Sequence, residues 1–289
     1  MSPVFRAPAT TANLGPGFDC AAAALDLWNE LRVEDRNGSA AVVIEGEGAG
    51  ELARDETNLT LRAFALLAPT SRHTFTFTNR IPLERGLGSS AAAVALGLAA
   101  GEAASGLKVG SEDLLRLGLE LEGHADNLAA ALVGGVCLTW SDDGEQRVAQ
   151  IATELPLAAI AVVPDYRVPT SESRARLPAL VAHEDAAQSA GRAALLGAAL
   201  AAGDGDLLAA SFHDSLHEPY RASDAPLLSA LRSNPPAGSV GVTLSGAGPS
   251  VVVWARKDAR DECVAELRRR LPDAQVLPLD VASQGAGEH

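Results

Sequence analysis

PLERGLGSSAAA, which occupies Pro82–Ala93, joins an alternating stretch, TFTFT, to an alanine-rich segment. Alternation of apolar and polar residues is typical of a strand and a run of alanine is typical of a helix, so the order predicts strand, turn, helix. Gly86 and Gly88 let the backbone turn tightly and expose N–H groups, and Ser89 and Ser90 add hydroxyl groups where the helix begins. This arrangement predicts a loop that binds phosphate.

A glycine and serine cluster before a helix also occurs as a simple turn with an N-cap serine. Neither of the two common phosphate-binding patterns is present in the chain. There is no G-x-x-x-x-G-K-[ST], hence no P-loop lysine, and GLGSS lacks the third glycine of a dinucleotide site. A nucleotide at this loop would therefore be held in another way.

Length and charge limit the class of protein. The 289 residues, 47% of them apolar, are enough for two domains of ordinary size, and we expect them at residues 1–152 and 153–289. The formal charge is −14, from 23 basic and 37 acidic side chains. Such a balance argues against a nucleic-acid partner, because binding to a polyanion depends on clustered Lys and Arg. Only SQGAGEH, residues 283–289, is biased towards disorder.

The start of the chain, MSPVFRAPATT, has no basic region followed by an apolar core, and no window reaches the ~18 apolar residues of a membrane span. These patterns predict a cytoplasmic protein with no membrane partner. Cys20, Cys137 and Cys263 are odd in number and widely spaced. This spacing predicts buried thiols, not a disulfide framework or a zinc site.

Strand and helix patterns are interleaved along the chain. Strands are predicted for AAVVIEG from Ala40, for TFTFT, for VCLTW, for LAAIAVVP from Leu157, and for two segments flanking a tight turn in SVGVTLSGAGPSVVVWA. Helices are predicted for TNLTLRAFALL, for Ala91–Ala104, from Ser111 towards Glu122, for AAQSAGRAALLGAALAAG with Gly203 as its C-terminal cap, and for ARDECVAELRRRL.

Four polar segments stand out: ATTANLGPGFD (9–19), EGHADN (122–127), PTSESRAR (169–176) and LSGAGPS (244–250). Taken singly, each is explained as a surface loop, a helix end, an exposed connector or a hairpin turn. Together they supply what a kinase without a P-loop lysine needs. These needs are backbone donors for phosphates, a carboxylate and a hydroxyl for Mg²⁺, and cationic side chains for an acceptor.

With these segments the chain resembles the homoserine kinases, a family within the galactokinase, homoserine kinase, mevalonate kinase and phosphomevalonate kinase (GHMP) superfamily. PLERGLGSSAAA resembles the superfamily's ATP-phosphate motif, and APATTANLGPGFD and EGHADNLAAALVGG point to homoserine kinases in particular. The resemblance runs from about Phe5 to about Ala282. It implies an α+β fold in two domains, the first like domain 2 of ribosomal protein S5 and the second ferredoxin-like. The active site would lie between them, with LSGAGPS facing the cleft.

The resemblance implies ATP-dependent phosphorylation of the side-chain hydroxyl of L-homoserine, a step of threonine biosynthesis, with ATP and Mg²⁺. Mg²⁺ would be bound by Ser90 and Glu122, and Glu120, two residues earlier, is the alternative ligand. The residues implied to bind ATP are Pro82, Leu83, Glu84, Arg85, Gly86, Leu87, Gly88, Ser89, Ser90, Ala91 and Ala92, together with Asn58 at the adenine.

The residues implied to bind homoserine are Asn13, Asp19, His124, Asp126, Asn127, Arg174 and Arg221. Asp19 would pair with the ammonium group, and the two arginines would match the carboxylate. The catalytic set is Ser90, Glu122, Asn127 and Thr170. Because Asn127 cannot accept a proton at neutral pH, we expect positioning to supply most of the catalysis, with Asn127 and Thr170 orienting the hydroxyl and the γ-phosphate.

Two other hypotheses remain at this point: another GHMP kinase whose acceptor lacks an amino acid head group, and a non-catalytic relative that binds a ligand. Arg174 and Asp19 argue against the first, and Ser90 and Glu122 argue against the second. The oligomeric state stays open, with a homodimer as one outcome. The segment PLERGLGSSAAA (82–93) is called here the phosphate loop. Glu84 is unusual because it places an acid in this loop, and its side chain is expected to face solvent or Arg85.

Overall fold

The structure is a computed structural model and describes residues 2–36 and 41–289. The strands in these ranges are β1 (Val4–Asn13), β2 (Gly17–Asp35), β3 (Ala41–Gly46), β4 (His73–Asn79), β5 (Val136–Asp142), β6 (Glu145–Ala152), β7 (Leu157–Val163), β8 (Ser239–Leu244), β9 (Val251–Arg256), β10 (Gln275–Leu279) and β11 (Gly287–Glu288). The α-helices are α1 (Leu59–Ala65), α2 (Ser89–Ser105), α3 (Ser111–Gly118), α4 (Ala125–Val133), α5 (Thr170–Ala175), α6 (His183–Ala202), α7 (Gly205–Ser211), α8 (Glu218–Arg221), α9 (Pro226–Ser233) and α10 (Arg260–Arg270). Short 3₁₀ helices lie at Thr70–Arg72 and Lys257–Ala259.

The larger sheet has seven strands, in the order β11-β1-β2-β4-β3 with β5 and β6 extending from β2. Strand β2 is long enough to pair antiparallel with β1, β4 and β5, whereas β3 runs parallel to β4. Helices α2 and α4 pack on β1 and β2, and α1 packs on α2. The sequence of α2 is mainly alanine, glycine and leucine, so its small side chains let these neighbours approach closely.

The smaller sheet is antiparallel, in the order β10-β7-β9-β8. Every residue of β7 is buried, which agrees with its continuous apolar sequence. Helices α9 and α10 pack on this sheet. Phe212 stacks on Trp254 of β9, with ring centroids 5.2 Å apart. Two sheets with helices packed on each confirm the predicted α+β class.

The end of the chain returns from the smaller sheet to the larger one. Strand β11 pairs with β1, placing Glu288 opposite Phe5. The backbone N–H of Ala282 also donates to the carbonyl of Ala24, at 3.0 Å. The expectation of disorder in residues 283–289 is therefore wrong, because β1 offers free backbone groups that this polar segment pairs with. The division at residue 152 coincides with the end of β6 and stays a prediction.

Most predicted elements are present, although several elements of the structure were not predicted. The helix that begins at Ser111 ends at Gly118, short of Glu122, because the hydrogen bonds tighten there: Glu120 and Leu121 donate their N–H groups to carbonyls three residues back, at 3.3 Å and 2.9 Å. Strands β1, β2, β6, β10 and β11 and helices α4, α5, α7, α8 and α9 were not predicted. Residue 40, the predicted start of β3, lies outside the described residues. Among the helices of the described ranges, none has the length and apolar character needed to cross a bilayer.

Candidate active site

A cavity, called here the central cavity, brings together residues from distant parts of the chain. Of the predicted site residues, those lining it are Asn13, Asp19, Glu84, Gly86, Gly88, Ser89, Ser90, Glu122, His124, Asp126, Asn127, Thr170, Arg174 and Arg221. Gly246 and Ala247 also line it, which confirms that the LSGAGPS loop faces the site. Some of the predicted ATP-binding residues do not line this cavity. Pro82, Leu87, Ala91 and Ala92 are among them, and their side chains are buried.

The phosphate loop is wedged between β1 and the LSGAGPS loop. Gly86 and Gly88 have φ of 78° and 64°, and α2 begins directly after Gly88. A Cβ on Gly86 would lie 2.3 Å from the Ser245 carbonyl oxygen, and one on Gly88 would lie 1.9 Å from Thr10 Oγ1. Only glycine fits at these two positions. The predicted order of strand, turn and helix is confirmed, and Ser90 is exposed in the first turn of α2.

Hydrogen bonds hold the phosphate loop in this place. The N–H of Thr10 donates to the Leu87 carbonyl at 3.1 Å. The Ser245 hydroxyl lies 2.7 Å from the Gly86 carbonyl and 2.9 Å from Thr11 Oγ1. The loop is thus fixed by both sheets before any ligand binds.

Asn13 is the last residue of β1, and its side chain forms hydrogen bonds within the protein. Its amide nitrogen donates to the Gly246 carbonyl at 3.1 Å, and its amide oxygen accepts the N–H of Asp19 at 3.1 Å. Asn13 and Asp19 both have positive φ, 71° and 56°. Asn13 therefore sets the position of Asp19 relative to the glycine loop of the second sheet.

Asp19 and Arg174 bind each other, and we call them the outer pair. Two hydrogen bonds, of 3.2 Å and 2.6 Å, join the guanidinium to the carboxylate. Their side chains are 38% and 42% exposed, so solvent screens this ion pair. The sequence assigned the two residues to opposite charges of the substrate, whereas the structure pairs them with one another.

Asp126 and Arg221 differ from the outer pair, and we call them the inner charges. Each is 3% exposed, and within the described residues neither forms a salt bridge. Burial raises the pKa of Asp126 to about 6 and lowers the pKa of Arg221. The Asp126 carboxylate accepts the N–H of Asn127, at 2.6 Å. Among described groups, Arg221 Nε finds no hydrogen-bond partner.

His217 holds the guanidinium of Arg221. Its Nε2 lies 2.9 Å from the Gly15 carbonyl oxygen, which can only accept, so Nε2 carries the proton. Its Nδ1 then accepts from Arg221 at 3.2 Å, and its ring stacks on Phe18 with centroids 5.0 Å apart. His217 was not among the predicted site residues. The signal was the four-residue spacing to Arg221, which places both side chains on one face of a helical turn.

Asn127 is fixed with its amide nitrogen towards Asp126. The Thr10 hydroxyl donates to Asn127 Oδ1 at 2.6 Å, and Asn127 Nδ2 lies 3.3 Å from the Asp126 carboxylate. The reverse orientation would bring the amide oxygen against that carboxylate, which accepts only. Towards the cavity, Asn127 is therefore a donor. Thr10, fully buried, is a second residue that the sequence analysis missed.

Glu122 and Ser90 place a carboxylate and a hydroxyl at the same cavity. Glu122 is 16% exposed, and its carboxylate lies 3.7 Å from His124 Nδ1, which raises the pKa of that histidine. Glu120 is exposed and does not line the cavity. In the described part of the chain, no group of three or more His, Cys, Asp or Glu side chains could bind a metal alone.

A second cavity of about 310 Å³, called here the side cavity, adjoins the phosphate loop and shares Glu84, Ser89 and Ser90 with the first. Leu83 and Asn58 also line it. The Asn58 oxygen caps α1 by accepting from the N–H groups of residues 60 and 61, and its nitrogen donates to the carbonyl of residue 53 at 2.8 Å. Both the oxygen and the nitrogen of the Asn58 amide are thus already hydrogen-bonded within the protein.

The acid and the arginine of the phosphate loop point to different partners. The Glu84 side chain is 55% exposed, as expected, and its nearest cation is Arg167, at 4.0 Å. Arg85 instead donates to the Asp165 carbonyl at 2.7 Å. The alternative expectation, that Glu84 faces Arg85, is therefore not what the structure has.

Comparison with known proteins gives consistent results. The family model for the GHMP kinases N terminal domain matches residues 58–135. Homoserine kinase of Moorella thermoacetica is 41% identical, covering 88% of this chain and 88% of that protein. Homoserine kinase of Streptomyces coelicolor is 39% identical, over 96% and 95%. The crystal structure of homoserine kinase from Cytophaga hutchinsonii superposes with a TM-score of 0.88 at 28% identity, over 100% of this chain and 97% of that one.

Proposed function

The chain belongs to the homoserine kinases of the GHMP superfamily, and from this premise we propose how its central cavity transfers a phosphoryl group from ATP to homoserine. The reaction forms O-phospho-L-homoserine, a step of threonine biosynthesis. Transfer requires that the cavity hold an amino acid by its head group and leave its side-chain hydroxyl beside the phosphate loop.

The inner charges carry the proposal. Removing a charged group from water costs about several kcal/mol unless an opposite charge compensates. Asp126 and Arg221 are buried in one cavity, and neither forms a salt bridge with a described residue. An amino acid zwitterion has the two charges they lack. We infer that Asp126 receives the ammonium group and Arg221 the carboxylate, with the outer pair nearer solvent.

The phosphate side of the cavity relies on backbone groups. The free N–H groups at the start of α2 and the turned loop before it favour a negative charge. The Ser90 hydroxyl and the Glu122 carboxylate fit Mg²⁺, which takes oxygen ligands and is commonly bound by one or two protein groups plus substrate phosphates. When bound there, Mg²⁺ neutralises charge on the phosphates.

Asn127 and Thr170 are proposed to act at the hydroxyl and the γ-phosphate. The Thr10 hydroxyl donates to the oxygen of the Asn127 amide, and we infer that this side chain meets the reacting atoms with its N–H groups. It therefore stabilises negative charge and cannot remove a proton. Thr170, the first residue of α5, lines the same cavity and brings a hydroxyl that can accept a hydrogen bond.

The test compares homoserine with two acceptors, one of which lacks the ammonium group and the other the carboxylate. ADP release is measured with L-homoserine, 4-hydroxybutyrate and 3-amino-1-propanol for the wild type and Asp126→Asn. Loss of a charge-assisted contact predicts a fall of roughly tenfold to 100-fold in kcat/KM for homoserine. With 4-hydroxybutyrate, which has no ammonium group, the substitution should change little. An equal fall with both acceptors would place Asp126 at the hydroxyl and refute the assignment.

Location in the cytoplasm and assembly into a homodimer accompany the proposal as predictions. Cell fractionation checks the first, and light scattering of the purified protein checks the second.

A further inference from the structure

The phosphate loop has no lysine, and its own arginine is turned away from it. The Arg85 guanidinium donates an N–H to the Asp165 carbonyl. In the side cavity, which includes Ser89 and Ser90, the lining among described residues contains a single cation, Arg167. Neither the sequence motifs nor the family resemblance drew attention to this arginine.

The backbone beside Arg167 is docked on the phosphate loop. Val168 donates its N–H to the Glu84 carbonyl at 3.1 Å. The Arg167 guanidinium itself lies 4.0 Å from the Glu84 carboxylate. The segment thus brings a flexible cation from the second half of the chain to the edge of the phosphate loop.

At present Glu51 holds Arg167. Two hydrogen bonds, of 2.8 Å and 2.7 Å, join them, and both residues line the side cavity. Their side chains are 47% and 34% exposed. An exposed pair of this kind contributes little to stability, so exchanging it for another anion costs little. A triphosphate offers Arg167 a more highly charged partner, and the planar guanidinium can bind two of its oxygen atoms at once.

We propose that Arg167 is a nucleotide-binding residue that leaves Glu51 for the ATP phosphates when the nucleotide binds. The inference rests on the proposed function, because it requires the triphosphate to lie against the phosphate loop. Glu51 is then a competitor: it holds the guanidinium while the cavity is empty and gives it up to the ligand. The two members of the ion pair therefore have opposite effects on nucleotide affinity.

The experiment uses this difference in sign. Dissociation constants of the non-hydrolysable β,γ-imido analogue of ATP, with Mg²⁺, and of adenosine are measured by calorimetry on the full chain. The variants are Arg167→Gln, Glu51→Gln and, as a control, Arg256→Gln, which removes another exposed arginine paired with an aspartate. Arg167→Gln should weaken the triphosphate analogue roughly tenfold and leave adenosine unchanged. The Glu51→Gln variant should bind the triphosphate analogue as tightly as the wild type does, or a few-fold more tightly.

Three results would overturn the inference. Unchanged affinity in Arg167→Gln would show that the residue does not contact the nucleotide. If Arg167→Gln and Glu51→Gln weaken binding of the triphosphate analogue equally, the ion pair only stabilises the local structure. If Arg167→Gln also weakens binding of adenosine, the substitution has distorted the cavity. Arg167→Lys keeps the charge and should retain most of the affinity if the chain is folded. Ser90→Ala separates the two claims: if it leaves triphosphate binding intact, the phosphate site itself is misassigned.

Discussion

Asp19 and Arg174 neutralise each other on the solvent side of the central cavity, whereas Asp126 and Arg221 lie buried in it with no ionic partner among the described residues. The four residues offer the same two chemical groups. The outer pair is complete without a ligand, and the inner charges are not. Burial without compensation is unfavourable for the empty protein, so the inner charges are the stronger indication of where the substrate's own charges belong.

The largest effect is expected at Arg221. Arg221→Gln removes the buried cation that we assign to the substrate carboxylate, and truncating such a group should lower kcat/KM for homoserine by roughly 10²–10³-fold. KM for ATP should be nearly unchanged, because the phosphate loop is held by other residues. Steady-state kinetics with each substrate varied in turn measures both. An effect no larger than that of Arg174→Gln would abolish the distinction between inner and outer charges.

The next effect concerns stability and pH. Asp126 in the folded protein has a pKa of about 6, above its ordinary value of 3.8, because of burial. Well below pH 4 the carboxyl group is protonated in both the folded and unfolded states and has no net effect. As pH rises from about 4 to about 6 the unfolded chain ionises first, so the folded protein loses stability, and above about 6 the loss is complete. The difference between the two values corresponds to roughly 3 kcal/mol.

Asp126→Asn should therefore raise the melting temperature at pH 8 and raise it far less at pH 4, while activity on homoserine falls. Thermal unfolding of both proteins at the two pH values tests this. Asp19→Asn is the control, since that carboxylate is exposed and paired. A similar gain at both pH values would show that the Asp126 carboxylate is not the cause.

A smaller effect is expected at Thr10, which acts through Asn127. Thr10→Val removes the donor that fixes the Asn127 amide, and we expect kcat to fall about tenfold, in line with loss of one hydrogen bond of about 1 kcal/mol or somewhat more. KM for homoserine should stay nearly constant, because the inner charges are untouched. Thr10→Ser retains the hydroxyl and should restore kcat. A fall in stability with no change in kcat would make Thr10 merely structural.

The smallest effect is expected for the outer pair. Arg174→Gln and Asp19→Asn should each lower kcat/KM for homoserine less than about tenfold, because both side chains are about two-fifths exposed and solvent screens their charges. The double variant should cost no more than the two single variants together. Higher ionic strength should reduce these effects more than those at the inner charges. If either single substitution proves as costly as Arg221→Gln, the outer pair holds the substrate.

The sequence predicts well those features that local residues determine. The phosphate loop, helix α2 and the LSGAGPS turn follow from glycines and periodicity within a few residues of each other. Strand β2 does not: its start, GFDCAAAALDLWNEL, contains alanine and leucine that favour a helix, and it forms a strand because β1, β4 and β5 pair with it. In β2, pairing with distant strands therefore outweighs the helix propensity of the local sequence.

The site shows the same limit. The motifs identified nearly all of the residues that line the central cavity. They could not show that Arg174 binds Asp19, because the two are 155 residues apart and meet only in the folded chain. Nor could they show that Asp126 is buried without an ionic partner. Pairing and burial of charges are properties of the packed structure, and they decide which carboxylate is free to receive an ammonium group.

A crystal structure with L-homoserine and a non-hydrolysable ATP analogue tests this assignment most directly. We predict the amino nitrogen of homoserine within about 3 Å of the Asp126 carboxylate and its carboxylate on Arg221, with the Asp19–Arg174 hydrogen bonds retained. A head group held between Asp19 and Arg174, with Asp126 and Arg221 still lacking counter-charges, would contradict it.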